Sequence, residues 1–558
     1  MRINKWWPAI LLVLVLVVPL GCGGSESSES NADKTPTKET QTTAPKADTA
    51  PAYGDALVGG SIGDATTLLP ALASDSASSE IISLVYNGLI KIDKDLNLVG
   101  DLAESWDISD DNRTITFHLR KGVKWHDGEP FTARDCMYTY NVMVDPKTPT
   151  AYAEQFKQIE KAEVVDDYTF RVTCKQVFAR ALITWGQNIM PAHLLEGKDI
   201  TTSELARHPI GTGPYKFLSW EPNQQIVLEY NPDYFEGRPY IDRQITRVIP
   251  DMATQFLELK SGNIDQMSLT PDQYTKQTND EVFKANFNKY KYLAFAYTYL
   301  GFNLKDPKFQ DKRVRQAIAY AINKQEIIDG VLLGLGQPAN GPYQPGHWAY
   351  NPNVTPYPYD VEKAKQLLAE AGWKDTNNDG ILEKDNQPFE FTIMTNQGNN
   401  ERKMTAVIIQ QRLKGVGISV KVRIIEWAAF IKEFIDKKQF EALVMGWTIP
   451  IDPDLYNVWH SSKTREGELN FISFKNEEVD RLIDEGRFTL DREKRKQAYF
   501  KIQEILKEEV PYVFLYVPDA LPVVSSRVHG IEPAPAGIGY NLIKWYVPKD
   551  LQKYHFEP

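Results

Sequence analysis

The run Asp375-Thr376-Asn377-Asn378-Asp379-Gly380-Ile381-Leu382-Glu383 sets oxygen-bearing side chains at alternate positions ahead of a glycine. A calcium loop needs that spacing: three side-chain oxygens two residues apart, a glycine for the sharp turn, then a main-chain carbonyl. Asp375, Asn377 and Asp379 fill the first three places, and Ile381 offers the carbonyl. The closing bidentate Glu of such a loop is replaced by Asn386, so Glu383 or Asp385 must stand in for it. The alternative is a polar turn held by Asx hydrogen bonds. A bound calcium would be structural, and no other cofactor is required.

Gly59-Gly60-Ser61-Ile62-Gly63 fits the elbow that presents a hydrolase serine. Such an elbow must follow a hydrophobic strand and open a helix, whereas here few apolar residues precede it and Pro70 soon follows. There is no His-Glu-x-x-His and no Walker A loop. Gly334-Leu335-Gly336 runs into Pro338, which spoils the start of a dinucleotide-binding helix. The 8 His are scattered. No acid, base and nucleophile set emerges, so the chain reads as a binder rather than an enzyme.

Charge and cysteine count narrow the partners. The chain has 558 residues, with 63 Lys plus Arg against 74 Asp plus Glu and a net charge of −11. Nucleic acid and anionic lipid require a positive footprint, so neither is expected as ligand. The 3 Cys cannot build a disulfide scaffold or a four-ligand zinc site.

Arg2 and Lys5 precede the apolar run from Ala9 to Leu20. That run is shorter than the ~20 residues needed to span a bilayer and has the pattern of a secretory signal over residues 1–21. It ends at Leu20-Gly21-Cys22-Gly23, which resembles a bacterial lipobox and makes Cys22 the lipidated mature N-terminus. Residues 22–52, poor in large apolar side chains, read as a flexible tether. The expected location is extracytoplasmic, with the membrane contacted through the lipid anchor alone. Export permits a disulfide between Cys136 and Cys174, and two thiols buried apart are the commoner outcome.

The elements that must position any site are α/β. Thr114 to Leu119 and Tyr168 to Thr173 alternate with period two, as half-buried strands do. Asp360 to Gly372 is a helix with Asp360 as cap and Ala364, Leu367, Leu368 and Ala371 on one face. Arg313 to Ile328 reads as another, with Val314, Ile318, Ala321 and Ile322 inward. Gly211 and Gly213, around Thr212, read as a close backbone crossing.

Four ordered blocks then carry a resemblance. Asp101-Leu102-Ala103-Glu104-Ser105-Trp106 leads into Phe117-His118-Leu119-Arg120-Lys121-Gly122-Val123-Lys124-Trp125-His126-Asp127-Gly128. Pro209-Ile210-Gly211-Thr212-Gly213-Pro214-Tyr215 precedes Trp220 and Asn231-Pro232-Asp233-Tyr234. Gly301-Phe302-Asn303 is followed by Val314-Arg315-Gln316-Ala317-Ile318, and Gly446-Trp447 by Asp452-Pro453-Asp454. From about Leu57 to Tyr546 the chain resembles the family 5 extracellular solute-binding proteins, the peptide-binding components of ABC importers.

That resemblance implies a periplasmic-binding-protein-like type II fold of two α/β lobes with an extra subdomain in the first. Lobe I would hold residues 53–80, 209–292 and 515–558, the extra subdomain 81–208, and lobe II 293–514. Hinges would fall near residues 293–300 and 513–518. It further implies a peptide ligand, an ABC permease as partner, and a monomer.

Gly446, Trp447 and Thr448 match the strand that lines the cleft in relatives. Weaker cleft candidates are Ser74 and Asp75 in the loop 72–78, Asp452, Trp459 and the segment 343–348. Many relatives that bind dipeptides or oligopeptides carry an Asp three residues after this Trp to pair with the peptide amine, and Pro450 stands there instead. The ligand is therefore expected to be an oligopeptide without a strict N-terminal anchor. An oligosaccharide or another small solute is the alternative, and a secreted hydrolase a remote one.

Overall fold

The computed structural model describes residues 49–556. The signal segment, Cys22 and nearly all of the tether lie outside the described residues. Two seven-stranded mixed sheets form the body. Gly54–Ser61 is central to the first, pairing in parallel with Ile241–Val248 on one side and with Gln266–Ser268 on the other. Gln225–Tyr230 and Tyr215–Glu221 extend one edge, and Pro522–Ser525 and Phe287–Lys289 the other.

In the second sheet Ala296–Phe302 lies between Tyr512–Ala520 and Ala442–Thr448, antiparallel to both. Glu390–Asn396 and Ser419–Ile425 follow, joined to each other in parallel. A four-stranded antiparallel sheet built from residues 103–174 sits within the stretch expected as a subdomain. Thr114–Leu119 there buries every second residue, as its alternation requires.

The crossings between sheets lie elsewhere than expected. Phe287–Lys289 belongs to the first sheet and Tyr292–Leu293 to the second, so the chain passes over at Tyr290 and Lys291. It returns at Leu521, between Tyr512–Ala520 and Pro522–Ser525. The two passages lie side by side: the Tyr290 amide donates to the Pro522 carbonyl at 2.9 Å. Residues 293–300 and 513–518, expected as hinges, are largely strands of the second sheet. Ala296–Phe302 cannot bend as a hinge because it is hydrogen-bonded on both edges and buried along nearly its whole length. Residues 515–520 accordingly belong to the second lobe.

Val361–Glu370 is helical, its first turn capped by the Asp360 carboxylate, which accepts from the Lys363 amide at 2.9 Å. Ala364, Leu367, Leu368 and Ala371 are all buried. The helix expected over 313–328 is two: Lys312–Ala321 and Lys324–Gly330. Asn323 divides them, because its side chain accepts from the Gln325 and Glu326 amides and so starts a new helix rather than continuing the old one. Val314, Ile318, Ala321 and Ile322 still face the core.

Gly211 and Gly213 do mark a close crossing. A Cβ at Gly211 would fall on the Val85 carbonyl, and one at Gly213 on the Leu84 and Val85 carbonyls, at the end of helix Ser76–Val85. The crossing is thus against a helix terminus. His126 bridges it: Nδ1 accepts from the Gly211 amide at 3.2 Å, and Nε2 donates to the Gly213 carbonyl at 3.1 Å. Burial pushes this imidazole down to about 4.

Cys136 and Cys174 are buried and unbonded, and burial raises the Cys174 thiol to about 11. At the other end of the first lobe, Arg527 donates to both Asp265 oxygens at 2.8 and 2.7 Å, pairs with Asp55, and reaches the Ala56 carbonyl. This ties the C-terminal segment to the first strand.

Candidate functional site

The second sheet presents Ala442–Thr448 with Gly446 opposite Thr298, Trp447 opposite Tyr297 and Thr448 opposite Ala296. Gly446 is required by its neighbours: a Cβ there would stand 2.7 Å from Arg402 Nη2 and 2.9 Å from the Tyr297 carbonyl. What approaches this backbone is therefore a guanidinium, itself held by Asn396 Oδ1 at 2.9 Å. Burial lowers the pKa of Arg402. Trp447 is half-buried, stacked on Phe471 with centroids 5.6 Å apart, and its indole N–H donates to Tyr512 Oη at 3.2 Å. Thr448 is exposed.

Beyond Thr448 the chain turns through Asp452 and Asp454. Each caps the turn, with Asp452 Oδ1 accepting from the Asp454 amide and Asp454 Oδ1 from the Tyr456 amide. Three arginines surround them. Asp452 meets Arg495 Nη2 at 2.8 Å and Arg180 Nη1 at 3.3 Å. Asp454 meets Arg180 Nε at 3.4 Å and Arg487 Nε at 3.5 Å. Burial works against the Arg180 cation, but Asp454 and Asp452 outweigh it and its pKa stands above the ordinary arginine value.

Arg180 comes from the stretch expected as the subdomain, so this cluster ties that stretch to the second sheet. Beside it the Ala179 amide donates to the Arg487 carbonyl at 2.8 Å. The Arg487 guanidinium lies 4.1 Å from the Tyr456 ring and 5.2 Å from the Phe178 ring, and its nitrogens make no hydrogen bond.

A second meeting point involves Asp75. Its Oδ2 accepts from Thr66 Oγ1 at 2.6 Å and Ser78 Oγ at 2.7 Å. Its Oδ1 accepts from the Ser78 amide and, across the lobes, from Trp427 Nε1 at 3.3 Å. Lys432 donates to the Thr66 carbonyl at 3.2 Å. Ser74 is half-buried next to Asp75. The lobes thus meet around Arg180 and again around Asp75.

Trp459 does not join them. It is fully buried among Tyr512, Phe474 and Phe514, so it is a core residue and not a cleft contact. The segment 343–348 supports the cleft from behind: Tyr343 Oη donates to the Pro453 carbonyl at 2.6 Å, and His347 bonds the Ile451 carbonyl. Asp375, Asn377, Asp379, Ile381 and Glu383 form a separate loop ahead of Glu390–Asn396. The Ser61 hydroxyl is used in a turn, donating to the Gly63 carbonyl at 2.7 Å, and no helix starts until Ser76. The elbow geometry of a hydrolase is therefore not formed. Arg180, Arg402, Trp427, Arg487 and Arg495 had no signal in the sequence, since none belongs to a motif and only the folded chain brings them to their partners.

Two sheets linked by two adjacent crossings, meeting again across a cleft, define a two-lobe binding protein. The chain belongs to the bacterial extracellular solute-binding proteins, family 5, whose middle region matches residues 97–468. It is 37% identical over 555 residues to the oligopeptide-binding protein AppA of Bacillus subtilis, covering 97% of this chain and 98% of that protein.

The structure of that AppA in complex with a nonapeptide superposes with a TM-score of 0.85 at 36% identity, over 90% of this chain and 100% of that one. NikZ from Campylobacter jejuni in complex with Ni(L-His) gives 0.80 at 30% identity, over 88% and 99%. The fold is that of the type II periplasmic binding proteins. Family members are extracytoplasmic solute-binding proteins rather than enzymes.

Proposed function

We propose that this protein is a lipid-anchored, monomeric receptor that closes on oligopeptides and hands them to the permease subunits of an ABC importer. Gly446, Trp447 and Thr448 line the cleft in this reading, with main-chain hydrogen bonds holding the peptide as an added strand. Ligand stabilises the closed form by its preference for that form, and no bond is made or broken. The relative crystallised with a nonapeptide supports a peptide of that class.

One observation carries the absence of a strict N-terminal anchor. Pro450 stands three residues after Trp447, and the nearest acids, Asp452 and Asp454, are held by Arg180, Arg487 and Arg495. A carboxylate so engaged does not capture a peptide amine without breaking a buried pair. Asp75 acts in closure more than in ligand contact, because both its oxygens are already bonded.

Ligand released from the purified protein and identified by mass spectrometry tests the class: peptides are expected, and sugars or metal chelates would overturn it. Calorimetry with one such peptide and its N-acetylated form tests the anchor. The two affinities should agree within a factor of ten; a larger loss on acetylation would sink that part of the reading.

A further inference from the structure

The loop between Val361–Glu370 and Glu390–Asn396 carries a chemistry of its own. Carboxylate oxygens of Asp375, Asp379 and Glu383 lie within 4.8 Å of one another. Nearby ion pairs, Lys365–Glu362 and Lys421–Glu390, do not include them. Three like charges at that distance repel unless a cation lies among them.

Glu383 adds an independent observation. Its Oε2 accepts from the Thr376 amide at 2.7 Å and from Thr376 Oγ1 at 2.9 Å. Its Oε1 is closed off from solvent and accepts nothing. A carboxylate oxygen withdrawn from water with no donor is costly, and a metal ion is the partner that satisfies it. Main-chain amides fix the remaining ligands: Gly380 N–H to Asp375 Oδ2 at 3.0 Å, and Asp379 N–H to Asn377 Oδ1 at 2.8 Å.

We propose that this loop binds a calcium ion through Asp375, Asn377, Asp379, the Ile381 carbonyl and Glu383. The donors are all oxygen, which suits a hard cation and not zinc or copper. Their number and irregular placement suit calcium better than magnesium, which demands a near-ideal octahedron.

The role is structural. The loop joins the Glu390 end of a seven-residue strand whose other end, Asn396, holds Arg402 under Gly446. Such a strand spans about 20 Å, so the ion does not touch ligand. It instead fixes the ribbon of Glu383–Lys384 and Gln387–Pro388 against the second lobe.

The full-length protein, treated with chelator and then dialysed, is titrated with CaCl₂, MgCl₂ or TbCl₃. Calcium should raise the melting temperature by roughly 2–4 °C where magnesium at the same concentration does not. Terbium should emit on excitation of Trp373, which packs on Phe389 at 4.2 Å beside the loop. D379N and E383Q should abolish both effects while peptide affinity stays unchanged. A melting temperature indifferent to calcium and chelator, or terbium emission that survives in D379N and E383Q, would overturn the site.

Discussion

Arg180 and Asp452 stand 3.3 Å apart although they are 272 positions apart in the chain, and their pairing joins the stretch expected as the subdomain to the second lobe. Both side chains are mostly buried, at 16% and 12% exposure. A charge pair so desolvated adds little to stability by itself, yet losing one partner is expensive. It therefore reads whether the lobes are together.

Replacing Arg180 with alanine leaves Asp452 and Asp454 to Arg487 and Arg495 alone, and removes the only charge that the subdomain brings to this cluster among the described residues. Ligand affinity should fall about tenfold, or about 1.4 kcal/mol, mostly through faster release. Stopped-flow release of a fluorescent peptide measures it. An unchanged release rate in R180A would show that the pair plays no part in closure.

Gly446→Ala sets a methyl group against Arg402 Nη2 and the Tyr297 carbonyl. The guanidinium can swing away but the strand carbonyl cannot, so a cost of about 1–3 kcal/mol is expected. Adding Arg402→Met should restore only part of it. Chemical denaturation of both variants gives the comparison, and full recovery in the double variant would assign the whole clash to Arg402.

Arg527→Met leaves Asp55 and Asp265, each 1% exposed, facing one another with Lys553, 3.6 Å from Asp265, as the remaining cation. Stability should drop by about 3–5 kcal/mol, one of the larger single losses available in the first lobe. The midpoint in urea reports it.

His126 sets a pH dependence. Its folded-state pKa lies below the ordinary histidine value, so the neutral ring is the stabilising form. That contribution is fully present above about pH 6.5 and is lost as pH falls towards 4, to at most ~3 kcal/mol. Asp101 and Asp436, both raised to about 6 by burial, pull the other way in the same range. The informative quantity is therefore the difference between wild type and H126N, which should narrow as pH drops. A constant difference from pH 7 to 4 would contradict the assignment.

Much of the local structure could be read directly from the residues. The period-two runs are strands, Asp360 caps its helix, and Gly211 and Gly213 permit a close backbone crossing. These features depend on contacts within a few residues, or on the absence of a side chain. The crossings between lobes were misplaced because Ala296–Phe302 is a central strand by virtue of partners at residues 442–448 and 512–520. Trp459 looked available for ligand because an aromatic residue next to polar ones carries no mark of burial. The Arg180, Arg487 and Arg495 cluster was illegible for the same reason: each arginine is ordinary until the fold brings it to Asp452 or Asp454.

The place of Pro522–Ser525, between Gln266–Ser268 and Phe287–Lys289, bears on the order in which the molecule assembles. Every strand of the second lobe emerges from the ribosome before this one, and that lobe can complete its sheet while the first still lacks an interior strand. The first sheet stays split, with two unpaired edges, until the final few dozen residues arrive, and only then can Arg527 engage Asp55 and Asp265. Non-local pairing of this kind is slow. The first lobe is thus the last part to become resistant to proteases, and the chain remains threadable until synthesis is almost finished.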